Sequence, residues 1–416
     1  MNTSYFHLLS NKTTPHAVAQ VAESNRIFAS RGARPASELD FSVQALRNFV
    51  LEPQNEFLRI YIGRMLDEAN RQAPLAVKTP DDFFRQLDNA LHSYPQYDAN
   101  FIAALPFYAA MKPFMANQYG YFLFTNEAVR PYFAAILRVY HDNLAAPASL
   151  VYLDDSFGNW LSADARATLK LDESVYDPDR PHGGFASWNA FFIRPFKDIA
   201  VSRPLAHSLT PDDIVSPVDG QVWMISRQVQ AAAAFEIKGE QYYLTDLLDE
   251  SEDSPLLRPF IDGLAMQILL LPFNYHRWHA PVSGRVTQVK TVPGLFFAAP
   301  TPDQDYAVSF PFLSHVNTRT IVFITPDNPR IGSIAMVFVG LTEVSSCEAT
   351  VASGEHVDQG DEIGHYAFGG STCCVLFEKA NVAQLYVAED NNLTPQPLPP
   401  GAVTQVLVRQ KIASVL

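Results

Sequence analysis

The chain has 416 residues, 48% of them hydrophobic, and carries 44 acidic against 30 basic side chains, a net charge of −14. That length and balance suit a protein with a full buried core and more than one domain. The acidic excess argues against nucleic acid as a partner and leaves room for a membrane contact that is at most peripheral.

The N-terminal segment MNTSYFHLLSNKTTPHA lacks a charged start, a long apolar run and a small-residue cleavage site. No uninterrupted run of roughly 18 apolar residues occurs either, so a soluble, cytoplasmic protein is expected. From about Leu39 to Ala145 apolar residues return at helical spacing, as in Phe57, Leu58, Tyr61, Ile62, Met65 and Leu66, which predicts a helical first part. Proline and glycine punctuation at Asp177-Pro178-Asp179-Arg180-Pro181-His182-Gly183-Gly184 marks a loop, and the domain boundary is placed there, with a helical domain over 1–183 and a second domain over 184–416.

Beyond the boundary the texture turns to strand. Short helices are predicted at Trp188–Phe192 and Leu244–Leu248, and strands at Val222–Ile225, Met266–Leu271, Arg285–Val289, Thr320–Ile324, Ile334–Val339 and Cys373–Phe377. Turn chemistry separates them, as in Val218-Asp219-Gly220 and Val282-Ser283-Gly284. The fold class is therefore α+β, a helical N-terminal domain followed by a β-rich one. The three cysteines, Cys347, Cys373 and Cys374, have no metal or redox spacing and read as reduced core residues.

Three segments place a reactive group beside glycine or proline, where a turn can present it: SPVDG (Ser216–Gly220), NYHRWHAPVSG (Asn274–Gly284) and FGGST (Phe368–Thr372). Together they supply Asp219, His279 and Ser371, an acid to orient an imidazole, an imidazole to take a proton and a hydroxyl to attack a carbonyl. Each has a plainer reading. Val-Asp-Gly is a common tight turn, either histidine can be structural, and Gly-Gly-Ser can simply open a strand. His276 and His279 lack a third ligand at metal-binding spacing, so no metal is expected. The hydrolase elbow G-x-S-x-G is broken by Cys373.

Read together and in order, these segments resemble the phosphatidylserine decarboxylases. SWNAFFIRPFKDIAVSRPLA (Ser187–Ala206), IKGEQYYLTDLL (Ile237–Leu248) and VNTRTIVFI (Val316–Ile324) add to the resemblance, while Val344-Ser345-Ser346-Cys347 departs from the family's usual glycine-serine-isoleucine run. The resemblance implies a proenzyme that cuts itself between Gly370 and Ser371, giving chains 1–370 and 371–416 that stay together noncovalently. It also implies that Ser371 becomes a pyruvoyl group, with no pyridoxal phosphate and no metal required. In that scheme His279, oriented by Asp219, takes the Ser371 proton. A substrate amine then forms a Schiff base and loses carbon dioxide. His276 is the candidate for protonating the product or positioning the carboxylate, because imidazole titrates near neutral pH.

Neither an apolar anchor nor a basic amphipathic N-terminal helix is evident, and the helical first half is similar to that of soluble relatives in the family acting on free amino acids, fungal L-tryptophan decarboxylases among them. A free, aromatic L-amino acid is thus the favoured substrate, with the phosphatidylserine headgroup as the alternative. Phe296 and Phe297, in the segment Val292–Ala298, are candidates for an aromatic side-chain pocket, against the plainer reading that they pack the core. Two other classes stay open. A serine hydrolase would use the same Asp219, His279 and Ser371 without cleaving itself, and a scaffold would keep the fold without the chemistry.

Overall fold

The computed structural model describes residues 39–98, 103–115, 117–231, 244–299, 310–343, 346–368, 370–378, 384–389, 392–394 and 404–415. The N-terminal segment read above for targeting, and the motif residues 237–243, Val344, Ser345 and Gly369, lie outside them. Helices α1 to α6 are Phe41–Leu51, Glu56–Gln72, Pro80–Leu91, Pro106–Met115, Gln118–Phe124 and Arg130–Ala145. They are followed by α7 (Ala163–Leu169), α8 (Trp188–Phe192), α9 (Ile199–Ser202), α10 (Leu244–Leu248) and α11 (Phe310–Val316). Two compact units emerge, one from the described residues within Met1–Arg166, Pro178–Phe191 and Leu295–Phe310, the other from those within Ala167–Asp177, Phe192–Gly294 and Pro311–Leu416.

The first unit is helical because its apolar stripes and its caps agree. Asp40 caps α1 by accepting from the Ser42 N–H, and Thr79 and Asp82 form a reciprocal capping box at α3 with Pro80 in its first turn. In α2, Leu58, Ile62, Met65 and Leu66 are buried as their spacing predicts. Phe57 instead is exposed, and the ring of Tyr61 lies 4.2 Å from that of Phe122 near the surface. Trp160, Trp188 and Phe191 pack their rings together at about 5.6 to 6.0 Å in the core of this unit. Among the described residues no helix is long and apolar enough to cross a membrane.

The second unit carries the sheets. Its strands are β1 (Asp213–Val215), β2 (Gly220–Val229), β3 (Gly263–Leu270), β4 (Arg277–His279), β5 (Gly284–Val292), β6 (Arg319–Pro326), β7 (Ile334–Leu341) and β8 (Ser346–Ala349). There follow β9 (His356–Val357), β10 (Glu362–Ala367), β11 (Gly370–Phe377), β12 (Gln384–Leu385), β13 (Val387–Glu389), β14 (Asn392–Thr394), β15 (Thr404–Val406) and β16 (Lys411–Ser414). Eight strands pair antiparallel in the order β15-β2-β3-β11-β7-β6-β5-β9, and two three-stranded sheets, β4-β10-β8 and β1-β16-β12, join them.

Both faces of the central strands are covered. Met266, Ile268, Cys373, Val375 and Phe338 pack on one side with Trp278 and Tyr366, and Ala265, Leu376, Val337 and Val339 pack on the other with Leu247 and Leu248 of α10. Burial on both faces is why these strands read as unbroken apolar runs rather than alternating ones. The three cysteines are free and buried.

Candidate active site

The three reactive segments fold onto one another within the second unit. SPVDG connects β1 to β2 and NYHRWH connects β3 to β4. The His279 N–H donates to the Pro217 carbonyl at 2.9 Å, so the two segments are tied by backbone. Gly220 is needed there, because a Cβ on it would stand 2.5 Å from the Leu269 carbonyl oxygen of β3. Asn274 closes the turn after β3, its side chain accepting from the Leu271 N–H at 2.7 Å. His276 then continues the line of β4, its carbonyl accepting from the Tyr366 N–H of β10.

Ser371 is the second residue of β11, in the middle of the large sheet. It pairs with Leu270 of β3 on one side and Gly340 of β7 on the other. Side chains alternate along a strand, so its hydroxyl shares the face of Cys373 and Val375, the face on which Trp278 and Tyr366 lie. The residue is fully buried, and among the described residues its Oγ has no hydrogen-bond partner. Gly370 pairs with Leu341, after which Thr342 has a φ of +54°, a conformation rare for a β-branched residue. The sharp turn beside the Gly370–Ser371 bond is thus a strained one.

Asp219 is buried but does not orient His279, which corrects the expected pairing. Its Oδ1 accepts from Arg203 Nε at 3.2 Å and from the Val408 N–H at 2.7 Å, and its Oδ2 accepts from Arg203 Nη2 at 2.7 Å. Arg203 Nη1 also donates to Glu173 at 3.0 Å. Burial alone would lower the Arg203 pKa, but Asp219 and Glu173 outweigh it and hold the guanidinium above its ordinary value. A bidentate guanidinium fork satisfies a carboxylate more fully than one imidazole N–H, and the partner is the Arg of the SRP run in Ser187–Ala206.

His279 is held instead by Gly360 and Tyr275. Its Nδ1 lies 2.8 Å from the Gly360 carbonyl, which can only accept, so Nδ1 carries the proton. Nε2 is then the lone-pair nitrogen, and the Tyr275 hydroxyl donates to it at 3.1 Å. Burial lowers the His279 pKa, partly offset by the Gly360 bond, and burial pushes the Tyr275 phenol up. The pair is therefore a neutral imidazole and a neutral phenol. Gly360 has a φ of +89°, and a Cβ there would meet the Arg409 side chain, so only glycine suits the position. Phe196 stacks on Tyr275 at 4.2 Å, and the Arg203 guanidinium lies over the Phe196 ring, 4.6 Å from its centre.

His276 faces different neighbours. Phe192 lies flat against it with ring centres 3.9 Å apart, and Phe192 meets Phe368 edge-on at 5.4 Å. Its Nε2 donates to the Pro272 carbonyl at 3.4 Å, while Nδ1 is buried without a partner among the described residues. Burial, with the charge of Arg194 second, pulls its pKa down to about 3. His276 is thus neutral at physiological pH. Neither histidine is hydrogen-bonded to Ser371 in this state.

Phe296 and Phe297 belong to the first unit and are buried. Phe297 sits among the rings of Phe107, Phe124 and Phe133 at 5.7 to 6.2 Å. Among the described residues no group of three or more His, Cys, Asp or Glu could hold a metal ion. Arg203, Tyr275, Gly360 and Val408 went unnoticed in the sequence. Tyr275 and Arg203 stand inside quoted motifs, whereas Gly360 and Val408 act through backbone atoms and leave no side-chain signal.

Residues 188–394 match the family described as phosphatidylserine decarboxylase, and residues 41–169 match a second family of the same description. The L-tryptophan decarboxylase of Psilocybe cyanescens is 33% identical over 306 residues, covering 67% of this chain and 69% of that protein. The decarboxylase iboD of Amanita muscaria is 34% identical over 284 residues, 62% of this chain and 79% of the other. A phosphatidylserine decarboxylase proenzyme of Fusobacterium nucleatum is 31% identical over 215 residues, 51% of this chain and 66% of its own length.

Proposed function

The chain belongs to the phosphatidylserine decarboxylase family and is a decarboxylase, and on that basis we propose that it makes a pyruvoyl group from its own Ser371 and acts on a free, aromatic L-amino acid. The observation that carries the first part is the buried, unpartnered Ser371 hydroxyl directly after Gly370, in a strand flanked on both sides. A glycine carbonyl has no side chain in the way of attack, and the ladder to β3 and β7 would hold the new terminus in place after the bond is cut. These residues fit the group.

In the cleavage step the Tyr275 hydroxyl gives up the His279 Nε2 lone pair, the Ser371 Oγ attacks the Gly370 carbonyl as its proton passes to Nε2, and His279 returns that proton to the amide nitrogen, which leaves as the amine to give an ester. Loss of the Ser371 α-proton with the Gly370 carboxylate then leaves a dehydroalanine at residue 371, which tautomerises to an imine, and one water hydrolyses that imine, supplying the ketone oxygen as ammonia leaves. Once formed, the pyruvoyl group supplies the sink for the electrons released as carbon dioxide leaves. Gly360 fixes the tautomer of His279, and Asp219, with Arg203, anchors the turn at Val408 that belongs to the small chain. His276, uncharged, offers Nδ1 as an acceptor rather than a charged donor.

Because Tyr275 donates to the lone pair of His279, it stabilises the neutral imidazole. Tyr275→Phe removes that bond, so the imidazole pKa rises and less base is available at a given pH. The midpoint of the cleavage rate against pH is expected to move to higher pH, measured by following appearance of the small chain in refolded precursor. An unmoved midpoint would show that Nε2 does not sense the phenol.

Substrate choice rests on similarity to the L-tryptophan decarboxylase over two thirds of the chain. Phosphatidylserine is the second reading, favoured by the similarity to the Fusobacterium nucleatum proenzyme. Release of carbon dioxide from carboxyl-labelled L-tryptophan, L-tyrosine, L-phenylalanine and phosphatidylserine vesicles separates them. Faster release from a free aromatic amino acid is expected, and release from the vesicles alone would overturn the preference.

A further inference from the structure

We propose that Gly340 makes the room in which the α-carbon of the substrate sits beside residue 371, an inference that rests on the reading of Ser371 as the source of the reactive group. Gly340 stands directly across the seam between β7 and β11 from Ser371. Both of its main-chain groups are turned the other way, the N–H donating to the Thr318 carbonyl at 2.9 Å and the carbonyl accepting from Asn317 Nδ2 at 2.9 Å. By the alternation of an antiparallel ladder, the pair is then the narrow, non-hydrogen-bonded kind, with α-carbons roughly 4.5 Å apart and both side-chain positions on one face. One step along that face Cys373 is opposite Phe338, whose ring lies 3.8 Å from that of Trp278. Beside Ser371 itself, β7 contributes no side chain.

A substrate amine bonds to the α-carbon of residue 371 in place of the ketone oxygen, which leaves as water. Its nitrogen then stands where the amide nitrogen of residue 371 stood, and its own α-carbon where the Gly370 carbonyl carbon stood before the freed carboxylate withdrew. A peptide carbonyl carbon is flat and carries, besides that nitrogen, one oxygen and one carbon. The α-carbon of an amino acid is tetrahedral and carries a carboxylate, a side chain and a hydrogen, whether the amino acid is free or a serine headgroup. The additional group has to leave the plane of the strand. Toward one face it meets Leu341, which pairs with Gly370, is buried and, by alternation along β7, lies on the face opposite to that of Gly340. Toward the other face it meets only glycine. Gly340 thus admits the tetrahedral substrate, a space for which the flat Gly370–Ser371 peptide of the precursor has no need.

The test separates self-cleavage and ketone reactivity from substrate turnover in the full chain. Gly340→Ala is expected to cleave itself into two chains, seen by intact mass, and its 371–416 chain to take up hydroxylamine, which has no branched carbon, at a rate within about threefold of wild type. Carbon dioxide release, from whichever of carboxyl-labelled L-tryptophan and phosphatidylserine vesicles the wild type uses, is expected to fall about thirtyfold or more, as overfilling a packed site does. Asn317→Ala frees the Gly340 carbonyl and adds no atoms. It should show the same split at about threefold to tenfold, the loss of one hydrogen bond, and serves as the readout if Gly340→Ala does not fold. A folded variant that stays uncut, one that decarboxylates at the wild-type rate, or one that loses hydroxylamine uptake together with turnover would overturn the role of Gly340. A wild-type chain that stays whole would instead overturn the Ser371 reading.

Discussion

Ser371→Ala is expected to remain a single full-length chain on a denaturing gel and to release carbon dioxide from no substrate above background. The substitution removes one oxygen from a residue whose hydroxyl bonds to nothing among the described residues, so the fold should stay intact. Alanine keeps the β-strand pairing with Leu270 and Gly340. Unchanged circular dichroism and thermal unfolding would therefore separate lost chemistry from lost structure. A cleaved or active Ser371→Ala protein would remove Ser371 from the nucleophile's role.

Asp219→Ala is expected to act on stability as well as on cleavage. The Arg203 side chain is only 9% exposed and would lose its bidentate partner, keeping Glu173 as its one carboxylate and the Ser202 carbonyl, while the Val408 N–H would lose its acceptor. Breaking a buried ion pair from one side costs about 3–5 kcal/mol, which for a unit of this size lowers the unfolding midpoint by roughly 10 °C. Thermal unfolding measured alongside the cleavage rate checks this. Slow cleavage with an unmoved midpoint would restore the direct role of Asp219 toward His279.

Much of the architecture was legible where one physical signal dominated. Trp188–Phe192 and Leu244–Leu248 are helices over the residues predicted, and the runs at Arg285–Val289, Thr320–Ile324 and Cys373–Phe377 lie inside β5, β6 and β11. The short strands β4 and β10 were not legible. They mix histidine, arginine and glycine with Trp278 and Tyr366, and pairing with each other and packing on the large sheet, rather than local propensity, makes them strands.

The site divides the same way. Asp219, His276, His279 and Ser371 stood out because each side chain sits in a turn-forming motif, but their partners did not. Pairing Asp219 with His279 followed residue type, and the structure gives the carboxylate to Arg203 and the imidazole to a carbonyl and a phenol. The ordinary titration of imidazole likewise says nothing of His276 once it is buried under Phe192, with the charge of Arg194 as a second influence.

The intact mass of freshly purified, denatured protein tests self-processing at Ser371 most directly. Two species are predicted, a chain ending at Gly370 and a 371–416 chain lighter by one ammonia than its serine-terminated form. A single uncut mass that reacts at Ser371 with a fluorophosphonate would contradict it and point to a hydrolase.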